Sequence, residues 1–155
     1  RIAAEVPDAV VGAGTVVRPE DAERAAGAGA RFLVSPGCTP ALRSAMEATG
    51  LPFLPGVATA SEAMALLETG ITAMKFFPAE AAGGAAALRA LAGPLPSIRF
   101  CPTGGISPRN AADYLALGNV GCVGGSWLTP ASVVGAGDWP RIRKLAAEAA
   151  SLRPA

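Results

Sequence analysis

The chain of 155 residues contains no histidine. That absence removes imidazole from its catalytic repertoire and, with it, most zinc sites. Charge is scarce as well. Only 16% of residues are charged, and 13 basic against 12 acidic side chains give a formal net charge of +1. Two of the basic residues are lysines, eleven are arginines, and they form no run. Such a balance argues against nucleic acid or an anionic membrane as the main partner. Residues 114–137 carry no charge, but Asn119, Ser126, Thr129, Pro130 and several glycines interrupt them, so no spanning helix is expected there. Arg1 leads directly into a helix-like segment with no signal pattern. The three cysteines, Cys38, Cys101 and Cys122, are odd in number and form no CxxC pair. That usage fits a reduced, cytoplasmic chain better than a disulfide framework. Cys101 and Cys122 lie inside apolar segments and read as core residues.

What is plentiful is apolar and small. Hydrophobic residues make up 51% of the chain beside 19 glycines and 14 prolines. Disorder needs low hydrophobicity, and collagen needs glycine at every third position, so neither applies. Short apolar segments recur at 9–16, 31–36, 52–57, 71–77, 98–101 and 120–125. Between them lie amphipathic runs at 19–28, 39–48, 61–68, 107–117 and 139–152. Pro19 before Glu20 and Asp21, Ser61 beside Glu62, and Ser107 before Pro108 read as helix starts. Gly29, Gly50, Gly70 and Gly118 read as helix stops. Strands without polar alternation, separated by helices, predict an α/β chain with a parallel sheet in a single domain over residues 1–155.

Six βα units are countable. An open doubly wound sheet and a (β/α)8 TIM barrel both contain such units, and the small residues favour the barrel. Nearly every strand exits through Gly, Pro, Ser or Thr: Gly12-Ala13-Gly14-Thr15, Ser35-Pro36-Gly37, Pro55-Gly56, Pro78-Ala79, Pro102-Thr103-Gly104-Gly105 and Gly124-Gly125-Ser126. Strand ends stripped of bulk let backbone from many strands approach one ligand. A barrel typically takes about 200 residues or more, and Arg1 to Pro7 reads as the tail of a helix. The expectation is therefore a truncated barrel whose first two strands precede Arg1. A complete open sheet of six units is the other arrangement the pattern allows.

The two lysines differ sharply. Lys144 sits in Arg141-Ile142-Arg143-Lys144-Leu145, on the polar face of a terminal helix. Lys75 lies in an apolar strand, Ile71-Thr72-Ala73-Met74-Lys75-Phe76-Phe77-Pro78. Desolvation among such neighbours favours the neutral amine, which can form a Schiff base with a carbonyl. A snorkelling lysine, or one paired with Glu80, fits the same pattern. Two glycine turns, Thr103-Gly104-Gly105 and Gly124-Gly125-Ser126, end the last two strands. Exposed N–H groups there suit an anion, and barrels often hold phosphate at their final strands; tight turns that serve packing alone fit equally. Gly27 and Gly29 precede a strand instead of following one, so they form no dinucleotide loop. On the residues alone, a Schiff-base enzyme, a phosphosugar isomerase or epimerase barrel, and a non-catalytic phospho-ligand-binding barrel fragment all remain open.

Taken together, Met74 to Glu80 (MKFFPAE), Cys101 to Ser107 (CPTGGIS), Val11 to Val16 (VGAGTV), Ser35-Pro36-Gly37 and Gly124 to Trp127 (GGSW) closely resemble the 2-keto-3-deoxy-6-phosphogluconate (KDPG) aldolase family, which is grouped with 4-hydroxy-2-oxoglutarate aldolase. The resemblance covers essentially the whole chain. It implies a class I lyase of the Entner–Doudoroff pathway, a cytoplasmic homotrimer without metal or other cofactor. That enzyme acts on a phosphorylated 2-keto-3-deoxy sugar acid. It further implies Lys75 as the nucleophile on the sixth barrel strand, and Thr15, Pro36, Phe77 and Thr103 around the substrate. Gly104, Gly105 and Ser126 would hold its phosphate. The family's catalytic glutamate and a substrate-binding arginine belong to a segment expected before Arg1, and neither Glu5 nor Glu80 matches that glutamate's position. The resemblance therefore implies that these 155 residues alone turn over poorly.

Overall fold

The structure, a computed structural model, describes residues 1–152. Contacts between Cα atoms divide the chain into two compact units, Arg1–Phe77 and Pro78–Ala155. The fold class is α/β, with parallel strands alternating with helices.

The first unit contains α1 (Ile2–Glu5), β1 (Gly12–Ala13), α2 (Pro19–Gly27), β2 (Phe32–Val34), α3 (Pro40–Ala48), β3 (Phe53–Leu54), β4 (Gly56–Val57), α4 (Ala60–Leu67) and β5 (Ala73–Phe76). β1, β2 and β3 run parallel, with Ala13 opposite Leu33 and Val34 opposite Leu54. β4 pairs in parallel with β5, placing Gly56 opposite Lys75 and Val57 opposite Phe76. Pro55 has no N–H for a ladder and divides the expected 52–57 strand into β3 and β4. Val16, Ala22, Leu33, Leu42 and Met46 bury one core beneath α2 and α3.

Caps locate these helices. The Thr39 hydroxyl accepts from the Leu42 N–H at 3.2 Å, and Pro40 opens α3. Thr59, rather than Ser61, begins α4. Its hydroxyl accepts from the Glu62 N–H at 3.3 Å while the Glu62 carboxylate accepts from the Thr59 N–H at 2.9 Å, a reciprocal capping box. These same bonds to backbone N–H groups, from Ala58 above all, hold the Glu62 carboxyl below its ordinary pKa. Gly29, Gly50 and Gly70 end helices in the left-handed region as expected. Gly118 does not; its carbonyl instead accepts from the Arg99 guanidinium at 2.9 Å.

The second unit contains α5 (Gly84–Ala92), β6 (Arg99–Pro102), α6 (Ala111–Leu115), a 3-10 turn (Ser126–Leu128), α7 (Ala131–Gly135) and α8 (Trp139–Ala150). α5 has no side-chain cap and follows left-handed Gly83, so it rests on its alanine-rich run and on fully buried Leu88. Asn119 is 6% exposed and donates its amide to the Leu88 carbonyl at 2.8 Å, tying α5 to the last apolar segment. α6 is much shorter than the expected 107–117 helix; ahead of it, residues 107–110 form a turn in which the Asn110 side chain accepts from the Ser107 N–H.

The apolar segment at 120–125 makes two isolated parallel bridges, Phe100 to Val120 and Thr103 to Gly124. Between these bridges, residues 121–123 oppose residues 101 and 102. One extra residue is a bulge, which re-aims side chains. Cys122 is consequently exposed and Cys101 half-buried, which corrects their reading as core residues. Among the described residues no helix is long and apolar enough to cross a membrane, and no group of three His, Cys, Asp or Glu side chains could hold a metal ion.

Candidate active site

In the first unit the ladders order two of the expected residues, Pro36 and Lys75. Val34 opposite Leu54, followed two residues on by Gly56 opposite Lys75, sets Pro36, Gly56 and Lys75 at one level. The backbone approach is close: a Cβ on Gly56 would strike the Pro36 carbonyl and lie 2.6 Å from the Gly37 nitrogen. Fully buried Ser35 accepts from the Gly56 N–H through its hydroxyl at 3.4 Å. Glycine at 56 is thus a condition for bringing the end of β2 against β4, beside Lys75.

Lys75 alternates with its strand neighbours. Met74 and Phe76 are 0% and 1% exposed, whereas Lys75 and Phe77 are half-buried and share the other face. The Lys75 Nζ stands 4.6 Å from the centroid of the Phe77 ring. A cation over an aromatic face gains about 0.5–2 kcal/mol. The Lys75 N–H donates to the Pro55 carbonyl at 2.8 Å, and that of Phe77 to Val57 at 3.0 Å, so both side chains stand on a paired backbone.

Thr15 follows β1 and has φ 58°, the only non-glycine residue in the left-handed region among the described residues. A β-branched side chain there costs of order 1–3 kcal/mol, and such strain concentrates at functional sites. The Thr15 side chain is exposed, while next to it the Val16 N–H donates to Val34 at 3.1 Å and anchors the loop.

In the second unit the Thr103–Gly124 bridge sets the two glycine turns side by side. Gly104 and Gly105 have φ 100° and 79°, a reversal open to few residues but glycine. A Cβ on Gly124 would lie 2.7 Å from the Thr103 hydroxyl, and one on Gly125 would collide with the Trp127 ring. Ser126, exposed, opens the 3-10 turn. The structure thus brings Thr103, Gly104, Gly105 and Ser126 together in one unit, and Pro36, Lys75 and Phe77 together in the other.

Ala79, Glu80, Tyr114 and Asn110 hold the first of these turns, and sequence patterning gives none of them this role. The Ala79 and Glu80 N–H groups donate to the Thr103 and Gly104 carbonyls at 2.8 and 3.1 Å. The Glu80 carboxylate accepts from the Tyr114 hydroxyl. On the other side, the Asn110 Oδ1 accepts from the Ser107 N–H at 2.8 Å and its amide donates to the Gly105 carbonyl at 3.1 Å. Burial first, then Glu80, pushes the Tyr114 hydroxyl well above its ordinary pKa, so it remains a donor. A lone tyrosine inside an apolar helix, and Asn110 three residues beyond Ser107, were the available signals. Among the thiols, hydrogen bonding with Cys101 lowers Cys122 to about 6 against opposing desolvation. Burial raises Cys38, opposed by Arg43.

Comparison with known proteins covers nearly the whole chain. Residues 1–145 match the family profile described as "Aldolase: KDPG and KHG aldolase". The chain is 56% identical over 149 residues to the KHG/KDPG aldolase of Escherichia coli strain K12, which covers 96% of this chain and 70% of that protein. Among solved structures, the 2-keto-3-deoxy-6-phosphogluconate aldolase of Zymomonas mobilis ZM4 with 3-phosphoglycerate superposes with a TM-score of 0.93 at 46% identity, covering 99% of this chain and 72% of that one. The KDPG aldolase from Legionella pneumophila, with pyruvate captured as a covalent carbinolamine intermediate, superposes with a TM-score of 0.91 at 45% identity, covering 93% and 70%.

Proposed function

This chain belongs to the KDPG and KHG aldolase family, and from that premise we propose that Lys75 is the Schiff-base nucleophile of a class I lyase. The substrate is 2-keto-3-deoxy-6-phosphogluconate, cleaved to pyruvate and glyceraldehyde 3-phosphate. The same site cleaves 4-hydroxy-2-oxoglutarate to pyruvate and glyoxylate, as the paired names of the family indicate. The observation that carries this reading is the setting of Lys75: half-buried on the strand face it shares with Phe77, its amine 4.6 Å from the centroid of that ring, level with Pro36 and Gly56. Desolvation of a half-buried amine favours its neutral form, and the Phe77 ring, which attracts the charged form, opposes that.

The neutral Lys75 amine attacks the C2 ketone, and the carbinolamine loses water to form an iminium. The iminium accepts the electron pair of the C3–C4 bond as that bond breaks, releasing the aldehyde. The C4 hydroxyl proton passes to a general base, a role the family resemblance gives to a glutamate that is not among these residues. Protonation of the enamine at C3, followed by hydrolysis, returns pyruvate and the free amine. Covalent catalysis divides one difficult step into easier ones. Thr15, Pro36, Phe77 and Thr103 border the keto-acid part. Gly104, Gly105 and Ser126 receive the phosphate, and holding a substrate by a group remote from its reacting carbon orients it for the covalent step. Glu80, engaged by Tyr114, is not assigned the proton transfer at the C4 hydroxyl. The strands assemble as part of a (β/α)8 barrel in a single domain over residues 1–155. The protein works as a cytoplasmic homotrimer, supported by family likeness and by free cysteines.

Carbon–carbon cleavage is the test. The protein incubated with 2-keto-3-deoxy-6-phosphogluconate should release pyruvate and glyceraldehyde 3-phosphate in equal amounts. Interconversion of sugar phosphates without pyruvate would instead establish an isomerase or epimerase. Because the family's glutamate is not among these residues, turnover is expected to be slow, so bound phosphosugar with neither product nor a borohydride-trapped pyruvate adduct would establish a non-catalytic binder.

A further inference from the structure

The Glu80–Tyr114 pair lies outside the residues expected at the site, yet it touches the turn that we read as the phosphate site. The Glu80 side chain lies directly under Gly105: a Cβ at that position would meet the Glu80 Cγ at 2.5 Å and its Cβ at 2.8 Å. Its backbone N–H holds the Gly104 carbonyl, and the preceding Ala79 N–H holds the Thr103 carbonyl. Its carboxylate ends at the hydroxyl of Tyr114, a residue 1% exposed on α6. Gly84, left-handed at φ 64°, lies beside the pair: a Cβ there would make ordinary contact, at 3.5 Å, with both the Glu80 carboxylate and the Tyr114 hydroxyl.

Two chemical facts bear on this arrangement. A carboxylate beside an anion-binding turn repels the anion unless its charge is engaged elsewhere, and a hydroxyl donated to it disperses that charge. A left-handed glycine pair, for its part, has no side chain to hold its shape, so the shape must come from neighbours. Asn110 supplies one such neighbour through the Gly105 carbonyl and Ser107. Glu80 supplies the other, but only while Tyr114 keeps its carboxylate turned into the unit.

We infer that Glu80 and Tyr114 are positioning residues that hold the Thr103–Ser107 turn in its phosphate-accepting form and thereby set the preference for phosphorylated over unphosphorylated keto acids. The inference rests on the phosphate reading of Gly104 and Gly105. It assigns the pair no contact with the reacting carbons. A disturbance here therefore moves affinity for the phosphate, not the rate of the covalent steps.

The experiment compares Tyr114→Phe, Glu80→Ala and Glu80→Gln with two substrates, 2-keto-3-deoxy-6-phosphogluconate and unphosphorylated 4-hydroxy-2-oxoglutarate. Inorganic phosphate serves as a competing probe, and circular dichroism verifies folding. Loss of a hydrogen bond to a charged group is worth about tenfold in affinity. Tyr114→Phe and Glu80→Ala should thus raise KM for the phosphorylated substrate and the inhibition constant of phosphate by about tenfold. KM for 4-hydroxy-2-oxoglutarate should stay within about twofold, and kcat should change less than KM. Glu80→Gln retains an acceptor for the Tyr114 hydroxyl and should recover most of the preference. A rise in KM for both substrates alike, or no change in a folded variant, overturns the inference. Should Tyr114→Phe fail to fold, the Ala-against-Gln contrast at Glu80 decides the matter alone. An unaltered protein whose KM ignores the phosphate overturns the phosphate reading itself, and the clamp with it. An unaltered protein that prefers the phosphorylated substrate while the variants behave identically overturns only the clamp.

Discussion

In the Arg1–Phe77 unit the feature proposed to react is a side chain, Lys75, carried on β5 between buried neighbours and oriented by strand register. In the Pro78–Ala155 unit the feature is backbone: a left-handed glycine pair whose form comes from Glu80, Asn110 and Tyr114 around it. The first arrangement is stiff because a ladder and a core hold it. The second depends on a few polar bonds made by residues far apart in sequence. Substitutions in the first unit should therefore abolish chemistry, whereas those in the second should weaken and re-tune binding.

The largest expected effect is Lys75→Met. Removing the nucleophile should lower turnover by on the order of 10³-fold or more while leaving inhibition by inorganic phosphate intact; a loss of phosphate binding alongside would erase the division of labour. Next comes Gly105→Ala, which meets both an unfavourable φ and the Glu80 side chain. It should destabilise the protein by about 1–3 kcal/mol in denaturant titration and weaken phosphate more than pyruvate. Thr15→Gly sharpens the comparison from the other side. Relief of left-handed strain, less the added freedom of glycine, should leave the melting temperature equal or slightly raised, while KM rises by roughly three- to tenfold through loss of the hydroxyl. A lower melting temperature would mean that Thr15 is structural.

The smallest effect concerns the thiols. Cys122, lowered to about 6, is mostly thiolate at pH 7, so its alkylation should already be near its plateau there. Cys38, raised by burial, should react slowly at pH 7 and gain rate only as pH climbs past its ordinary thiol range. Mass spectrometry of iodoacetamide-treated protein across pH 5 to 10 reads both; equal rates at the two positions would contradict this ordering.

Much of this was legible in one sequence. Apolar runs spaced by amphipathic ones predict the parallel α/β arrangement, because a strand covered on both faces has no polar alternation. Lys75 stands out because an ammonium among Met74, Phe76 and Phe77 demands a reason. Glycines at strand exits mark where backbone must approach backbone, as Gly56 does with Pro36. The polar scaffold of the second unit was not legible. Glu80 and Tyr114 meet through a side-chain bond that spans 34 positions, and no local period encodes such a meeting; Asn110 braces the same turn from nearby, through Ser107 and Gly105. The bulge that turns Cys122 outward was equally hidden, since one extra residue between two bridges changes the facing of a segment without changing its composition.

The most direct test uses the fact that the chain has two lysines. Incubation with pyruvate and borohydride, followed by peptide mapping, should place one reduced pyruvyl adduct on Lys75 and leave Lys144 unmodified. Adduct on Lys144 or the N-terminal amine, or none on Lys75 in folded protein, would contradict the account.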